Sequence, residues 1–206
     1  MRSTPATLIA HDLKNALGAL EGELEALAAE PTKDGARAAY QRCVDPKREF
    51  IQFLMVYGTG SELRAYCEDE SPQDVLDSVC RAGQSKYAPH AHSPKMSVER
   101  SEGEPPYWYF DQRLVQMALD AALHNASRFA RSQITLGLRL DNDYLVFVID
   151  DDGPGPQGSD AGPNSTGLGT ELCRTVARAH KSGTRQGRIE LRHRPQGGTR
   201  FELWIP

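Results

Sequence analysis

The sequence predicts an α+β protein: an N-terminal antiparallel helical hairpin, followed by an α/β sandwich with a mixed sheet. Three observations support this prediction. Apolar residues recur at intervals of three and four in two segments near the N-terminus. A glycine- and acid-rich stretch then separates these segments from the rest of the chain. Beyond that stretch, helix-like and strand-like segments alternate as far as the C-terminus.

Two helices are predicted in the hairpin. Residues 6–29 form the first, whose core positions follow heptad spacing: Ala6, Ala10, Leu13, Leu17, Leu20, Leu24 and Leu27. A turn at residues 30–35 leads to the second, with core positions Ala39, Cys43, Pro46, Phe50, Phe53 and Tyr57. We expect Pro46 to kink or locally break it. Because a two-helix hairpin cannot bury both of its faces, we predict a homodimer with a four-helix bundle.

The second domain is predicted to begin at residue 68, so that the domains are 1–67 and 68–206. Helices are expected over about 72–84, from Asp111 onward, and over 168–180. Five strands are expected, at residues 96–99, 134–140, 144–149, 188–193 and 200–205. Residues 152–166 lack an apolar anchor and are predicted to form a mobile loop.

Composition narrows the class of protein. The chain has 206 residues, of which 39% are hydrophobic and 25% charged, as in globular proteins generally. Its net charge of −4 argues against sequence-independent binding to nucleic acid. No apolar run reaches the roughly 20 residues that span a bilayer, and the N-terminus does not resemble a signal peptide. We therefore expect a cytoplasmic protein with no membrane span and four reduced cysteines.

The first helix carries a candidate phosphoryl acceptor. Heptad numbering places His11 and Asn15 on the outer face, one turn apart, with Asp12 beside them. An exposed neutral imidazole is a nucleophile toward a phosphoryl group, and an adjacent carboxylate can accept its proton. The Asn15 amide could position a water for the reverse hydrolysis. A solvated helix face that contains these residues by chance is the alternative.

A nucleotide site is predicted where the second of the two central strands ends. Asp151 shares a face with the apolar residues of that strand, so it is expected at the rim of the space between sheet and helices. A carboxylate there can accept a hydrogen bond from an exocyclic amine, which favours adenine over guanine. Gly153 and Gly155 would let the backbone approach the base closely. An ordinary Asp/Gly loop is the alternative.

The helix that begins at Asp111 adds candidate phosphate and metal ligands near its end. The amide oxygen of Asn125 is a hard ligand suited to Mg²⁺ shared with nucleotide phosphates. Arg128, followed by Phe129, could add positive charge at those phosphates. A helix-capping role for Asn125 is the alternative.

Two further segments complete the predicted site. Gly167, Leu168, Gly169 and Thr170 open the last helix, where free backbone N–H groups favour phosphate. Thr199, which follows a Gly-Gly pair on the next strand, could complete the adenine end of the site.

In this order, the motifs resemble the catalytic core of a two-component histidine kinase. Such a core pairs a dimerisation and histidine-phosphotransfer hairpin with an ATP-binding domain of the gyrase/Hsp90/histidine-kinase/MutL type. Residues 11–15 resemble the H box and residues 123–129 the N box. Residues 151–155 and 167–170 resemble the two glycine boxes, and residues 198–206 the family's usual ending. His124 stands where the family commonly has an acidic residue, and Ala16 where it often has a proline.

The resemblance implies an enzyme that uses ATP and Mg²⁺ to phosphorylate His11, with Asp12 as the proton acceptor. The phosphoryl group would pass to an aspartate of a response-regulator receiver domain, and Asn15 would serve dephosphorylation of that partner. Because only ten residues precede His11, we expect either a separate sensor or input protein or a chain that is the excised core of a longer protein. The alternative is a histidine phosphotransferase or docking module with a degenerate ATP site. A serine kinase of the anti-sigma type would leave the hairpin and His11 unexplained.

Overall fold

The computed structural model describes residues 5–58, 63–87, 93–155 and 167–206. The chain divides into two compact units, Met1–Gly60 and Ser61–Pro206. The domain boundary predicted after residue 67 stays a prediction, because residues 59–62 of the connection lie outside the described residues.

The first unit is a hairpin of two helices, α1 (Pro5–Ala29) and α2 (Lys33–Tyr57). Thr32 caps α2, because its hydroxyl oxygen accepts a hydrogen bond of 3.0 Å from the Gly35 N–H. An ion pair of 2.5 Å between Arg42 and Glu23 joins the two helices. The hairpin predicted from the heptad spacing is therefore present.

Of the two effects predicted for Pro46, the local break is wrong, because α2 continues through this residue, and the kink stays a prediction. A proline inside a helix removes one backbone hydrogen bond and crowds the preceding turn. The rest of a 25-residue helix supplies enough hydrogen bonds and packing against α1 to continue past it.

The second unit contains three helices and nine strands among the described residues. In chain order they are β1 (Glu68–Glu70), α3 (Pro72–Tyr87), β2 (Lys95–Val98), β3 (Trp108–Phe110), α4 (Gln112–Phe129), β4 (Gln133–Asp141), β5 (Tyr144–Asp151), α5 (Leu168–Ala179), β6 (Lys181–Ser182), β7 (Arg185–Gln186), β8 (Arg188–His193) and β9 (Thr199–Ile205). Five strands form the main sheet in the order β2-β4-β5-β9-β8. The β2–β4 pair is parallel and the other three pairs are antiparallel, which confirms the predicted mixed sheet.

The core lies between this sheet and the helices α3, α4 and α5, which pack against β2, β5 and β8 respectively. Alternate residues of β5 and β9 are fully buried there, including Phe147 and Leu203. Phe147 makes an edge-to-face contact with Phe110, with ring centroids 5.8 Å apart. The predicted α/β sandwich is confirmed.

Two small pairings were not predicted. β1 pairs with β3, and β6 pairs with β7. Strands of two or three residues are too short to show an alternating pattern. The predicted mobile loop falls mostly on residues 156–166, which lie outside the described residues.

Within the described parts of the chain, no helix has the length and apolar character needed to cross a membrane.

Candidate functional site

Asp151 ends β5 and is held in a fixed position. Its side chain is buried, and Oδ1 accepts hydrogen bonds from the Gly153 N–H at 2.8 Å and the Thr199 N–H at 3.2 Å. Among the described residues, no group donates a hydrogen bond to Oδ2. One oxygen therefore orients the carboxylate, and the other remains able to accept a hydrogen bond from a ligand.

The backbone around Asp151 is packed too closely for side chains. A Cβ atom on Gly198 would overlap the carbonyl group of Asp151, and one on Gly153 would overlap the carbonyl oxygen of Phe129. A Cβ atom on Gly155 would overlap the imidazole of His193. Gly153 and Gly155 were predicted to permit close approach, and here that approach is to the protein's own backbone and side chains.

Arg194 also contributes to this turn, since its Nη1 donates a hydrogen bond of 2.9 Å to the carbonyl oxygen of Asp151. Sequence reasoning did not select Arg194. Its partner is 43 residues away, and no local pattern reports such a contact.

Asp152 ties the turn after β5 to the segment that follows α4. Its carboxylate accepts hydrogen bonds from the Arg131 N–H at 2.8 Å, the Ser132 N–H at 3.0 Å and the Ser132 hydroxyl at 2.5 Å. Burial alone would raise the pKa of Asp152, but the hydrogen bonds from Ser132 and its neighbours lower it to about 2. Asp152 thus holds the C-terminal end of α4 beside Asp151.

The end of α4 carries Asn125, which is partly buried and lies one turn before Phe129. Among the described residues, its side chain has no hydrogen-bond partner. The C-cap of α4 is Ala130, so the capping role that was the alternative for Asn125 is excluded. Arg128 is exposed, and its guanidinium lies 5.5 Å from the centre of the Phe129 ring.

His124 precedes Asn125 and contacts α3. Its Nδ1 lies 3.0 Å from the hydroxyl oxygen of Tyr87, and the two rings stack. Because the same hydroxyl can donate to Nδ1, this contact favours the imidazole tautomer that carries its proton on Nε2.

The start of α5 presents backbone N–H groups. Its N-cap is Gly167, which offers no side chain to accept hydrogen bonds from the first turn. Leu168 is buried and anchors this end, while Gly169 and Thr170 are partly exposed. The N–H groups of this turn are therefore suited to an anion.

The candidate phosphoryl acceptor lies in the other compact unit. His11, Asp12 and Asn15 all belong to α1, and Asn15 is exposed. The side chains of His11 and Asp12 lie outside the part of the chain that the structure describes.

No group of three or more His, Cys, Asp or Glu side chains among the described residues is arranged to hold a metal ion. The amide of Asn125, partly buried and without a partner among those residues, fits a single ligand to Mg²⁺ whose other ligands come from nucleotide phosphates and water.

Residues 110–206 match the family model described as "Histidine kinase-, DNA gyrase B-, and HSP90-like ATPase". This part of the chain is therefore similar to an ATPase domain of that family. The matched range includes α4, Asp151, the start of α5 and Thr199.

The chain is also similar to curated sensor kinases. "Sensor histidine kinase CpxA" of Escherichia coli (strain K12) is 26% identical over 114 residues, which cover 48% of this chain and 24% of CpxA. "Sensor protein ChvG" of Agrobacterium fabrum (strain C58 / ATCC 33970) is 24% identical over 229 aligned positions, which cover 96% of this chain and 38% of ChvG. The matched part of the chain thus spans 24% and 38% of the length of these two relatives.

Solved structures of histidine kinases share the fold. Acinetobacter baumannii histidine kinase AdeS matches with a TM-score of 0.68 at 19% identity, over 95% of this chain and 96% of that one. Full-length ShkA in complex with AMPPNP matches with a TM-score of 0.64 at 15% identity, over 98% of this chain and 45% of that one. Together with the family match, these relatives confirm the resemblance to a two-component histidine kinase catalytic core.

Proposed function

We propose that this chain is an ATP-dependent protein-histidine kinase that phosphorylates itself on His11 and transfers the phosphoryl group to an aspartate of a response-regulator receiver domain. The observation that carries the proposal is the Asp151 carboxylate. One of its oxygens accepts hydrogen bonds from two backbone N–H groups, and the other has no donor among the residues that the structure describes. It lies within the range that matches the histidine kinase-like ATPase model. The sensor kinases CpxA and ChvG support the same assignment.

The proposed ATP site uses these residues in separate roles. Asp151 Oδ2 accepts a hydrogen bond from the exocyclic amine of adenine, and Thr199 borders this end of the site. The N–H groups at the start of α5 and the guanidinium of Arg128 meet the phosphates. Asn125 is the protein ligand for Mg²⁺, which when bound neutralises charge on the phosphates.

At the acceptor end, an imidazole nitrogen of His11 attacks the γ-phosphorus of ATP. The new N–P bond forms as the bond to the β–γ bridging oxygen breaks, and ADP leaves with that electron pair. Asp12 accepts the proton of the imidazole, and Asn15 positions water when the partner's aspartyl phosphate is hydrolysed.

The hairpin is proposed to form a homodimer, because both helices expose large apolar side chains. These residues are Leu17, Leu24, Tyr40, Phe50, Ile51, Leu54 and Tyr57. Several occupy the predicted core positions of a four-helix bundle, and burying them against a second copy removes this surface from water. A cytoplasmic location and a separate input protein remain predictions from the sequence.

Radiolabelling tests the proposed activity. Incubation with [γ-³²P]ATP and Mg²⁺ should give a label that is lost in acid and stable in base, as expected for phosphohistidine. The variant His11→Ala should take up no label, whereas the control His92→Ala should be labelled like the wild type. A label that persists in His11→Ala contradicts the proposed acceptor.

A second candidate is a histidine phosphotransferase that does not bind ATP. The imidazole of His124, held by Tyr87 where the family commonly has an acid, is the observation that favours it. Calorimetry with AMPPNP separates the two proposals, because micromolar binding excludes the relay and its absence excludes the kinase.

A further inference from the structure

The face of the main sheet that points away from the helices carries a cluster of arginines near the β8–β9 turn. Arg192 and Arg200 are directly opposite each other in β8 and β9, and Asp150 is opposite Arg200 in β5. Residues paired in this way point to the same face of a sheet, and like charges in such pairs are destabilising. The Arg192–Arg200 pair therefore calls for compensating negative charge.

Asp150, on the neighbouring strand β5, supplies part of that negative charge. Arg200 binds it through two contacts, Nε to Oδ1 at 2.8 Å and Nη2 to Oδ2 at 2.6 Å. Arg194 Nε lies 3.4 Å from the same carboxylate. The Asp150 side chain is only 10% exposed, whereas that of Arg200 is 42% exposed. The Asp150 carboxylate is therefore buried, whereas the Arg200 guanidinium is exposed to solvent.

Arg192 repeats this arrangement. It forms an ion pair with Glu190 and lies 3.8 Å from Glu202. The Glu202 side chain is 2% exposed and that of Arg192 is 56% exposed. The buried Asp150 thus holds Arg200, the partly exposed Glu190 holds Arg192 with the buried Glu202 nearby, and the surface presented to solvent is rich in guanidinium groups.

These arginines line a pocket of about 370 Å³ at the β8–β9 turn. Its lining residues are Arg192, His193, Arg194, Pro195, Gln196 and Arg200. Among the described residues, Nη1 of Arg192, Nη2 of Arg194 and Nη1 of Arg200 have no acceptor. Three guanidinium groups therefore have donors left for a ligand in one pocket.

We propose that this pocket binds a small, multiply charged oxyanion, either a phosphoryl compound or a polycarboxylate. Guanidinium groups match such anions in geometry and charge, and paired N–H···O contacts to them are among the stronger hydrogen bonds. The bound anion would also offset the repulsion between Arg192 and Arg200. The pocket opens on the other face of the sheet from the proposed nucleotide site, since Asp150 and Asp151 point to opposite faces, and within the described residues the two share only the contacts of His193 and Arg194 with the turn after β5.

Calorimetric titration of the nucleotide-free chain with inorganic pyrophosphate, and separately with citrate, tests this proposal. We expect saturable binding of at least one probe, about tenfold weaker in Arg192→Gln because one charged contact is lost. Arg188→Gln is the matched control: it removes the same charge from the same strand and face, but its guanidinium stacks on Trp204 at 3.7 Å, outside the pocket lining. Binding by this control should stay within about twofold of the wild type.

Gln196→Glu is a second test variant. Gln196 is exposed in the turn, so the substitution adds a negative charge to the pocket without altering the sheet, and it should also weaken binding. If Arg192→Gln fails to fold, the affinity of Gln196→Glu for the two probes tests the proposal in its place.

Three results would overturn the proposal: no saturable binding of either probe, equal losses in Arg192→Gln and Arg188→Gln, or loss of binding in Asp151→Asn, which would place the anion in the nucleotide site. Binding of pyrophosphate alone identifies a phosphoryl ligand, and binding of citrate alone identifies a polycarboxylate.

Discussion

At the scale of single residues, the Asp151 carboxylate decides what the site can recognise. Replacing it by asparagine keeps the shape and still lets one oxygen accept from Gly153 and Thr199, but an NH₂ group then takes the place of Oδ2. If adenine bound there, its exocyclic NH₂ group would face the NH₂ group of the asparagine, and neither could accept a hydrogen bond from the other. We expect Asp151→Asn to weaken AMPPNP binding by at least about tenfold in calorimetry.

Asp143→Asn is the control for this prediction. Asp143 lies in the β4–β5 turn, its side chain is 83% exposed, and it makes an ion pair with Arg185 at the surface. Its substitution removes the same charge without touching the site. Equal AMPPNP affinities of the wild type and Asp151→Asn would exclude adenine recognition by Asp151.

Gly198 shows how closely β9 approaches the end of β5. Gly197 and Gly198 both have positive φ, +90° and +94°, so alanine is strained at either position. In the parts of the chain that the structure describes, no atom lies within 4 Å of a Cβ at Gly197, whereas a Cβ at Gly198 would overlap the Asp151 carbonyl. Urea unfolding should show Gly198→Ala to be less stable than Gly197→Ala by about 1–3 kcal/mol. Equal losses would mean that the close approach has no energetic consequence.

At the scale of secondary-structure elements, Asp152 joins β5 to the segment after α4. Because its folded pKa of about 2 lies below the ordinary value of 3.8, its contribution to stability is complete above pH 4 and is lost as the pH falls toward 2. The difference in unfolding free energy between the wild type and Asp152→Asn should shrink over this range. Ser132→Ala, which removes only the hydroxyl donor, should lie between them at neutral pH. A difference that does not change with pH contradicts this role.

His180 joins the end of α5 to the start of α4. It is buried, its Nε2 accepts from the Asp111 N–H at 3.0 Å, and its Nδ1 donates to the Val176 carbonyl at 2.8 Å, so the ring is neutral. Burial lowers the pKa of His180 from 6.5, although Val176 and Asp111 oppose the shift.

The unfolded state therefore gains a proton below pH 6.5 that the folded state does not bind. The unfolding free energy should fall as the pH drops from about 6.5, at no more than about 1.4 kcal/mol per pH unit from this group. His180→Gln should lose this component of the pH dependence in denaturant titrations at several pH values. An unchanged pH dependence in the variant would show that His180 does not titrate as proposed.

At the scale of the whole molecule, the sequence predicted elements that carry their own pattern. The strand β4 alternates clearly, β5 is a short continuous apolar run, and Asp111 caps α4 by accepting a hydrogen bond of 3.1 Å from the Leu114 N–H. The order of the motifs also placed Asp151, Asn125 and the start of α5 in one domain, and the family match includes all three.

What the sequence could not predict depends on contacts between distant residues or on very short strands. Asp111 meets His180 across 69 positions and Arg194 meets Asp151 across 43, and neither contact leaves a periodic signal. The three-residue pairing of β1 with β3 is too short to be recognised. The local break expected at Pro46 does not occur, because a long helix that packs against α1 can tolerate the loss of one backbone hydrogen bond.

The central claim is that ATP bound by the second unit phosphorylates His11 in the first, and tandem mass spectrometry tests it most directly. Digestion with trypsin releases a peptide from Ser3 to Lys14, which contains His11 together with Ser3, Thr4 and Thr7. After incubation with ATP and Mg²⁺ and handling at alkaline pH, we expect the phosphoryl group on His11. A phosphoryl group on Ser3, Thr4 or Thr7, or an unmodified peptide, would contradict the claim.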